Sequence, residues 1–360
     1  MASFTKVFHV AVGVAVLGFT GLSLAQVTPP NAPVPAGQKT QAAPAPKTAP
    51  AQKPVPLQLQ SLDPATRPDP FPPVNPKNFT SDTPTPAAVD SYLHAMIGYD
   101  ANRIWRVVAI QKTPAPGVTK VIALVSERTP NAKIQTASFY VLPDGKHLLA
   151  DSTGVQNFGA DPFAENRAIL KARADGPSHG ATSKDLLFVE FADLQCPHCK
   201  DAQAIMTKLA ADFPKARIVY ENFPLVDIHP LAFRAAAYGA CIAQKNSDAF
   251  FIYTQAVYDT QGALTQDDGE QTLKNAATKA GMDPEAMAVC ASSPAAKELV
   301  DASTKLATDL GIDQTPMLAV NGRLLPLTNI PYETLKNLIV FQAGLDGIPV
   351  ASNPFSGAKK

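Results

Sequence analysis

The sequence predicts an α/β protein with two folded domains that follow an export segment and a disordered linker. Three observations support this organisation. Residues 26–86 hold 17 of the 34 prolines of the chain. Short strand-like runs follow between residues 104 and 150, and a strand–helix–strand pattern begins at residue 186. That pattern continues through a long helical stretch to a strand–strand–helix ending.

The N-terminus has the three parts of a secretory signal peptide. Lys6 is the positive residue, residues 10–19 are the apolar core, and Ser23-Leu24-Ala25 is a small-x-small cleavage site. We therefore predict a cleaved signal peptide over residues 1–25 and a periplasmic or other extracytoplasmic location. The alternative is an uncleaved membrane anchor, because this apolar segment approaches the roughly 20 residues that span a bilayer. No cysteine precedes residue 196, which excludes a lipoprotein anchor.

Composition excludes one class of partner. Basic and acidic residues number 31 each, so the formal net charge is zero, and no basic run stands out. Nucleic acid is therefore not an expected partner. The proline-rich residues 26–86 cannot bury enough apolar surface to form a core, so they predict a disordered, partly polyproline linker. This linker is either a spacer or a tether from a retained anchor.

Residues 87–176 predict a small α+β domain of one sheet and two helices. The segment Pro143-Asp144-Gly145-Lys146 is a hairpin turn signal, and Asp175-Gly176-Pro177 marks the boundary to the next domain. We find no catalytic constellation here, so dimerisation or client binding are the candidate roles. The predicted elements are helix 87–98, strands 104–110, 119–125, 136–142 and 147–150, and helix 163–174.

Residues 177–345 predict an α/β domain, with a tail over residues 346–360. An apolar run indicates a buried strand, and a helix and a second strand complete a βαβ unit. A helical insertion over residues 228–310 follows, and Gly311 ends its last helix. The predicted elements around the insertion are strand 186–192, helix 200–212, strand 217–220, strands 317–320 and 323–327, and helix 332–343.

Cys196-Pro197-His198-Cys199 lies on the strand-to-helix turn of the βαβ unit. Two thiols in this position allow one to attack a foreign disulfide and the other to resolve the mixed intermediate. Unpaired backbone N–H groups at the helix N-terminus favour an anion, so Cys196 is predicted to be the thiolate and Cys199 the buried resolving thiol. His198 can add positive charge or a hydrogen bond. The Pro197-His198 pair favours donation of disulfides over reduction.

A zinc site is the alternative reading of this motif. It needs two further ligands, and the sequence has no second CxxC and no HxxxH. We therefore predict neither a metal nor a cofactor. His229 is expected to cap a helix or to lie on the surface, and His94, His147 and His179 have no partner at metal-ligand spacing.

Three blocks in this domain resemble the DsbA-like thioredoxin family. They are residues 191–200 (Phe-Ala-Asp-Leu-Gln-Cys-Pro-His-Cys-Lys), residues 222–225 (Asn-Phe-Pro-Leu) with His229-Pro230, and residues 315–323 (Thr-Pro-Met-Leu-Ala-Val-Asn-Gly-Arg). The resemblance covers roughly residues 184–345, about half of the chain. It implies a thioredoxin fold with an inserted helical domain and an exported thiol oxidase. Some members of the wider group act as isomerases or reductases.

The resemblance also implies roles for three residues outside the CxxC motif. Pro316 is expected to follow a cis peptide bond and to lie against the cysteines, which leaves Thr315 free to pair with a substrate's extended backbone. An ordinary edge-strand proline is the alternative. Glu190 matches a buried acid of the family that could relay a proton to or from Cys199. The alternatives are that Glu190 faces solvent and that Asp193 caps or positions the turn.

Cys241 and Cys290 lie in predicted helices of the insertion. In an oxidising compartment they are expected to form a structural disulfide. Two buried, unpaired thiols are one alternative, and a relay pair that exchanges with the CxxC motif is another.

These features together predict an exported protein disulfide oxidoreductase. It would form disulfides in reduced exported proteins, and a membrane partner would reoxidise it. Residues 87–176 would then mediate a homodimer or hold unfolded clients. Isomerase or reductase activity is the nearest alternative, and a non-enzymatic tethered chaperone or cell-envelope scaffold is the second.

Overall fold

A computed structural model describes residues 69–150 and 154–350. The predicted signal peptide, most of the predicted linker and residues 351–360 of the tail lie outside these ranges. Within them, the helices are too short or too polar to cross a bilayer.

The first domain is a five-stranded antiparallel meander with one helix on its face. The helix α1 begins after Thr85, whose hydroxyl accepts a hydrogen bond from the Ala88 N–H and caps the helix. Val89 and Leu93 on α1 pack against Ile110 and other buried residues of the sheet. The elements are α1 (Pro86–Ile97), β1 (Arg103–Lys112), β2 (Thr119–Glu127), β3 (Gln135–Val141), β4 (His147–Ala150) and β5 (Gly154–Asn157), and the strands lie in that order in the sheet.

Residues 69–85 are ordered, so the end of the predicted linker at residue 86 is wrong. A short 3₁₀ helix spans Pro76–Asn78, and Phe79 forms a β-bridge with Ile110 of β1. Phe71 is buried, and the Arg106 guanidinium lies over its ring. A proline-rich segment can pack against a folded domain without regular secondary structure. Amino-acid composition does not show whether a folded domain offers a surface for this packing.

The second domain has the predicted α/β fold. Its five-stranded sheet has the order β10-β9-β7-β8-β6, in which β7 and β8 are parallel and β9 is antiparallel to β7. The strands β7 and β9 are buried along their whole lengths because helices cover both faces of the sheet. The elements are α2 (Ala164–Arg173), β6 (Ser178–Gly180), β7 (Leu187–Ala192), α3 (Pro197–Asp212), β8 (Arg217–Asn222), α4 (Ala232–Lys245), α5 (Ser247–Asp259), α6 (Gly269–Lys279), α7 (Pro284–Cys290), α8 (Pro294–Asp309), β9 (Met317–Val320), β10 (Arg323–Pro326) and α9 (Tyr332–Leu345).

The helix α2 packs on the second domain, although the sequence placed it in the first. Leu170 is buried in one cluster with Leu187 and Val189 of β7. The turn between β9 and β10 lies directly under α2. Gly322 has a φ of +93°, and a Cβ there would lie 2.4 Å from the Phe163 carbonyl oxygen, so this close approach requires glycine. The apolar stripe of α2 does not itself specify which sheet it covers.

The first domain also contacts the second through the end of α1. The Arg323 guanidinium, on β10, donates to the carbonyl oxygens of Ala95 and Met96. His94 contacts Phe341 of α9, with ring centroids 5.4 Å apart. The end of α1 is thus held against β10 and α9.

The helical insertion shares one core cluster with the active-site turn, and it contains a disulfide. Cys241 of α4 is bonded to Cys290 at the end of α7, and their Cα atoms are 6.1 Å apart. Tyr238, Tyr253 and Val257 are among the buried residues around α4 and α5. The disulfide therefore joins two helices of the insertion.

Removal of this disulfide is expected to lower the stability of the insertion. The bond closes a loop of 49 residues, which corresponds to about 4 kcal/mol in the chain-entropy treatment. We expect the double variant Cys241→Ser/Cys290→Ser to lose about that much unfolding free energy in urea, measured on the oxidised full chain. An unchanged midpoint would show that the bond does not constrain the unfolded chain.

Candidate active site

The two remaining cysteines lie where β7 ends and α3 begins. Cys196 is the N-cap residue of α3 in extended conformation, Pro197 occupies the first helical position, and Cys199 lies in the first turn. Cys196 is 5% exposed and Cys199 is fully buried. Proline suits this position because its fixed φ is helical and the N–H it lacks would have no partner within the helix. Both cysteines are thus buried, and Cys196 has the slightly greater exposure of the two.

The environment of Cys196 favours its thiolate. Hydrogen bonds from the Cys199 thiol, the Thr315 side chain and the backbone N–H groups of Cys199 and His198 lower the pKa of Cys196 to about 5, although partial burial opposes them. Donors at a helix N-terminus stabilise an anion in this way. Cys196 is therefore ionised at neutral pH.

His198 is the second residue of α3. The residue is exposed, and its contact with the thiolate is through its backbone N–H. A contribution from the charge of the His198 imidazole stays a prediction.

The environment of Cys199 has the opposite effect. Burial, followed by the hydrogen bond and charge of Cys196, raises the pKa of the Cys199 thiol far above its usual range. The Asp193 N–H donates to Cys199 Sγ at 3.4 Å and partly offsets this. Cys199 is accordingly a thiol when Cys196 is a thiolate, which is the asymmetry that an attacking and a resolving cysteine require.

A cis peptide bond between Thr315 and Pro316 lies beside the cysteines. The strand β9 begins directly after it and runs antiparallel to β7, with Met317 opposite Phe191, so both active-site segments meet at one edge of the sheet. The Thr315 carbonyl oxygen is 3.9 Å from Cys196 Sγ. The buried Thr315 hydroxyl has no other hydrogen-bond partner, which leaves it free to donate to the thiolate.

Glu190 is buried beneath the cysteines, at 4% exposure, so the solvent-facing alternative is wrong. Burial raises the pKa of Glu190 to about 7. Gln203, one turn after Cys199 on α3, donates from Nε2 to Glu190 Oε1 at 2.8 Å and to the Cys199 carbonyl oxygen at 3.1 Å. Sequence reasoning missed Gln203, although its four-residue spacing from Cys199 on a helix was a usable signal. A proton relay through Glu190 stays a prediction.

The raised pKa of Glu190 predicts a pH-dependent loss of stability. A buried acid whose pKa is higher in the folded than in the unfolded protein destabilises the fold once pH exceeds the unfolded value, and the loss is complete above the folded value of about 7. We expect Glu190→Gln to raise the unfolding free energy by about 3 kcal/mol at pH 8 and to change it little at pH 4. Urea titrations at the two pH values measure this. Equal effects at both would contradict an ionisation origin.

Asp193 and His229 are two further residues of this site. Asp193 Oδ1 accepts from the Gln195 N–H at 2.7 Å, so the side chain does cap the turn. His229 Nδ1 lies 2.7 Å from Asp193 Oδ2, so the interpretation of His229 as a helix cap or surface residue misses its contact with the site. Asp193 and His229 are 36 positions apart in the sequence. The only sequence signal for their contact was that both lie in blocks that resemble the DsbA-like family. In the described part of the chain, no group of three or more His, Cys, Asp or Glu side chains could hold a metal ion.

Residues 174–340 match the sequence profile of a family described as Thioredoxin. This part of the chain is similar to the thioredoxin family. The predicted fold class is thereby confirmed, with the CxxC pair, the cis-proline and the buried acid inside the matched thioredoxin domain. The matched range begins at residue 174, which agrees with the packing of the end of α2 on this domain.

Curated relatives match this chain over different shares of their own length. A protein of Bacillus cereus named "Probable disulfide bond formation protein D" is 26% identical over 171 residues, which is 45% of this chain and 76% of that protein. The Na(+)/H(+) antiporter NhaA 1 of Mycolicibacterium vanbaalenii is 30% identical over 166 residues, which is 45% of this chain and 24% of the antiporter. The antiporter NhaA 3 of Salinispora tropica is 32% identical over 68 residues, or 19% of this chain and 10% of that protein. The chain therefore spans a quarter or less of these antiporters.

Solved structures are similar to about half of the chain. A periplasmic thioredoxin-like protein from Salmonella enterica serovar Typhimurium is 21% identical, with 50% of this chain and 96% of that chain covered and a TM-score of 0.40. Oxidised BdbD from Bacillus subtilis is 19% identical, with 49% of this chain and 95% of that chain covered and a TM-score of 0.43.

Proposed function

We propose that this protein is an exported thiol:disulfide oxidoreductase that forms disulfides in client proteins. The observation that carries the proposal is the pairing of an ionised Cys196 at the start of α3 with a fully buried Cys199 thiol beside the Thr315–Pro316 cis bond. The match of residues 174–340 to the Thioredoxin family and the name of the Bacillus cereus relative support the same reaction class.

The reaction is two successive thiol–disulfide exchanges. A client thiolate attacks Cys196 Sγ of the oxidised protein, which forms the mixed disulfide, breaks the Cys196–Cys199 bond and leaves the electron pair on Cys199 Sγ. A second client thiolate then attacks the client sulfur of the mixed disulfide and releases Cys196 as a thiolate. The client loses two electrons, and the Cys196/Cys199 pair gains them.

The direction of transfer follows from the stability of the reduced pair. Hydrogen bonds that stabilise the Cys196 thiolate favour the reduced form, and a protein whose reduced form is favoured is a disulfide donor. A membrane redox partner is proposed to restore the disulfide by accepting the two electrons.

Export is supported by two independent features. Residues 1–25 have the pattern of a signal peptide, and the Cys241–Cys290 disulfide is of a kind that persists in oxidising compartments. Reduced, newly exported proteins are the proposed clients. Dimerisation or client binding through residues 87–176 stays a prediction.

A trapping experiment tests the proposal. Cys199→Ala removes the resolving thiol, so it should accumulate a mixed disulfide through Cys196 when mixed with an oxidised client bearing one accessible disulfide. The wild-type chain, oxidised, should form a disulfide in a reduced two-cysteine peptide. Cys196→Ala is the matched control, since it keeps one thiol of the pair and should do neither. No trapped species and no peptide oxidation would reject the function, and equal protection of an unfolded client by wild type and Cys196→Ala would favour a scaffold.

A further inference from the structure

Asp193 contacts both cysteines through its backbone. Its N–H donates to Cys199 Sγ at 3.4 Å, and its carbonyl oxygen accepts from the Cys196 N–H at 3.1 Å. Asp193 lies between the end of β7 and the N-cap of α3. The position of the Asp193 backbone therefore determines whether its N–H can donate to Cys199 Sγ.

The Asp193 side chain is held by three donors. Oδ1 accepts from the Gln195 N–H at 2.7 Å, and Oδ2 accepts from the Leu225 N–H at 2.9 Å and lies 2.7 Å from His229 Nδ1. The carboxyl group is completely buried and the His229 side chain is 16% exposed. A buried carboxyl with three partners has one orientation, because every other orientation leaves a desolvated oxygen unpaired.

His229 connects this network to the helical insertion. Its carbonyl oxygen accepts from the Ala232 N–H, where α4 begins. Two glutamines reinforce the junction. Gln195 Oε1 accepts from the Leu231 N–H, and Gln261 Nε2 donates to the carbonyl oxygens of Leu194 and Cys196. The active-site turn is thus fastened to the insertion by side chains, and Asp193 is the member that also touches Cys199.

We propose that Asp193 and His229 are a positioning pair that holds the Asp193 N–H on Cys199 Sγ, an inference that rests on the proposed exchange reaction. When an incoming thiolate attacks Cys196 Sγ, the Cys196–Cys199 bond breaks and the electron pair leaves on Cys199. The Asp193 N–H stabilises that negative charge until a proton from solvent or Glu190 reaches the sulfur. Hydrogen bonds to charged groups are stronger than those to neutral groups, so the contact gains strength as the bond breaks.

The rate at which dithiothreitol reduces the oxidised full chain tests this inference. Acid quenching, followed by alkylation of the released Cys196 and Cys199 in denaturant, measures the reaction. Intact Cys241–Cys290 and far-UV circular dichroism of the unquenched protein confirm the fold. We expect His229→Ala to slow reduction about tenfold, as the loss of one charge-assisted contact predicts. We expect His229→Asn, whose amide N–H can occupy the place of Nδ1–H, to restore the rate to within about threefold of wild type. Asp227→Asn is the control, since Asp227 is exposed in the same loop.

Each outcome decides the inference. A His229→Ala rate within about twofold of wild type overturns it, as does equal slowing by His229→Ala and His229→Asn. If His229→Ala does not fold, His229→Gln replaces it, because its amide reaches the place of Nε2, and the same slowing is expected. Dithiothreitol needs no client. A wild-type chain that oxidises no client rejects the proposed function, whereas an unaffected reduction rate rejects only the positioning pair.

Discussion

Iodoacetamide is expected to modify Cys196 of the reduced protein with a midpoint near pH 5 and to leave Cys199 unmodified. The pKa of Cys196 is lowered from 9.0 to about 5 by donors from Cys199, Thr315 and the start of α3. The midpoint is the informative quantity, because a thiolate of low pKa is also a weaker nucleophile and the rate at neutral pH gains less than the ionised fraction. Mass-spectrometric mapping of the two cysteines at a series of pH values measures it. A midpoint near pH 9, or equal labelling of both thiols, would contradict an activated nucleophile.

The same ionisation makes the stability of the reduced protein depend on pH. A group whose pKa is depressed on folding contributes stability that is present above its unfolded value and is lost as pH falls through its folded value, here about 5. Between pH 7 and pH 4 the reduced protein should therefore lose about 3 kcal/mol that Cys196→Ser does not lose. Urea titrations of the two proteins under reducing conditions give the comparison. An equal loss of unfolding free energy in both proteins would show that ionisation of Cys196 is not its source.

Arg323→Met is expected to lower the unfolding free energy by about 3 kcal/mol and to release the first domain from the second. Arg323 is 5% exposed, donates from Nε to Gln342 Oε1 at 3.0 Å, and lies 4.2 Å from the centroid of the Phe163 ring. Its remaining donors satisfy the Ala95 and Met96 carbonyl oxygens at the end of α1. Methionine fills much of the volume but leaves those carbonyls unpaired. Burial lowers the pKa of Arg323 to about 10, so it stays charged at neutral pH.

Limited proteolysis and urea denaturation measure the effect of Arg323→Met. We expect faster cleavage between the two domains together with the lower stability. Arg173→Met is the matched control, because Arg173 forms a partly exposed ion pair with Asp309 at 2.7 Å, and such pairs contribute about 1 kcal/mol or less. Equal effects of the two variants would show that Arg323 has no particular part in domain docking.

Local patterns and the family resemblance were sufficient to predict the fold class, and they predicted two thiols on a strand-to-helix turn. An apolar strand followed by Cys196-Pro197-His198-Cys199 indicates two thiols on a strand-to-helix turn. The resemblance to the DsbA-like family implied that Pro316, which precedes β9, lies against these thiols. These inferences rest on short blocks of sequence. For that reason they did not depend on knowing which helix covers which face.

Domain boundaries were predicted less well, and Phe71 and α2 show why. Phe71 lies in a proline-rich stretch whose average composition indicates disorder, but its ring is buried and Arg106 lies over it. Leu170 of α2 has the same apolar character that would suit either sheet, and it packs against β7. Composition and periodicity describe how much apolar surface a segment offers. They do not describe which surface receives it.

The sequence alone predicted two thiols on a strand-to-helix turn, with Cys196 at the N-terminus of a helix. Its resemblance to the DsbA-like family added Glu190 as a candidate acid on the preceding strand. Only the tertiary structure determined which distant residues form hydrogen bonds with the buried polar groups. His229 reaches Asp193 across 36 positions and Arg323 reaches Ala95 across 228. No spacing rule connects such residues, because a buried polar group takes whichever partner the packed sheet and helices bring within about 3 Å.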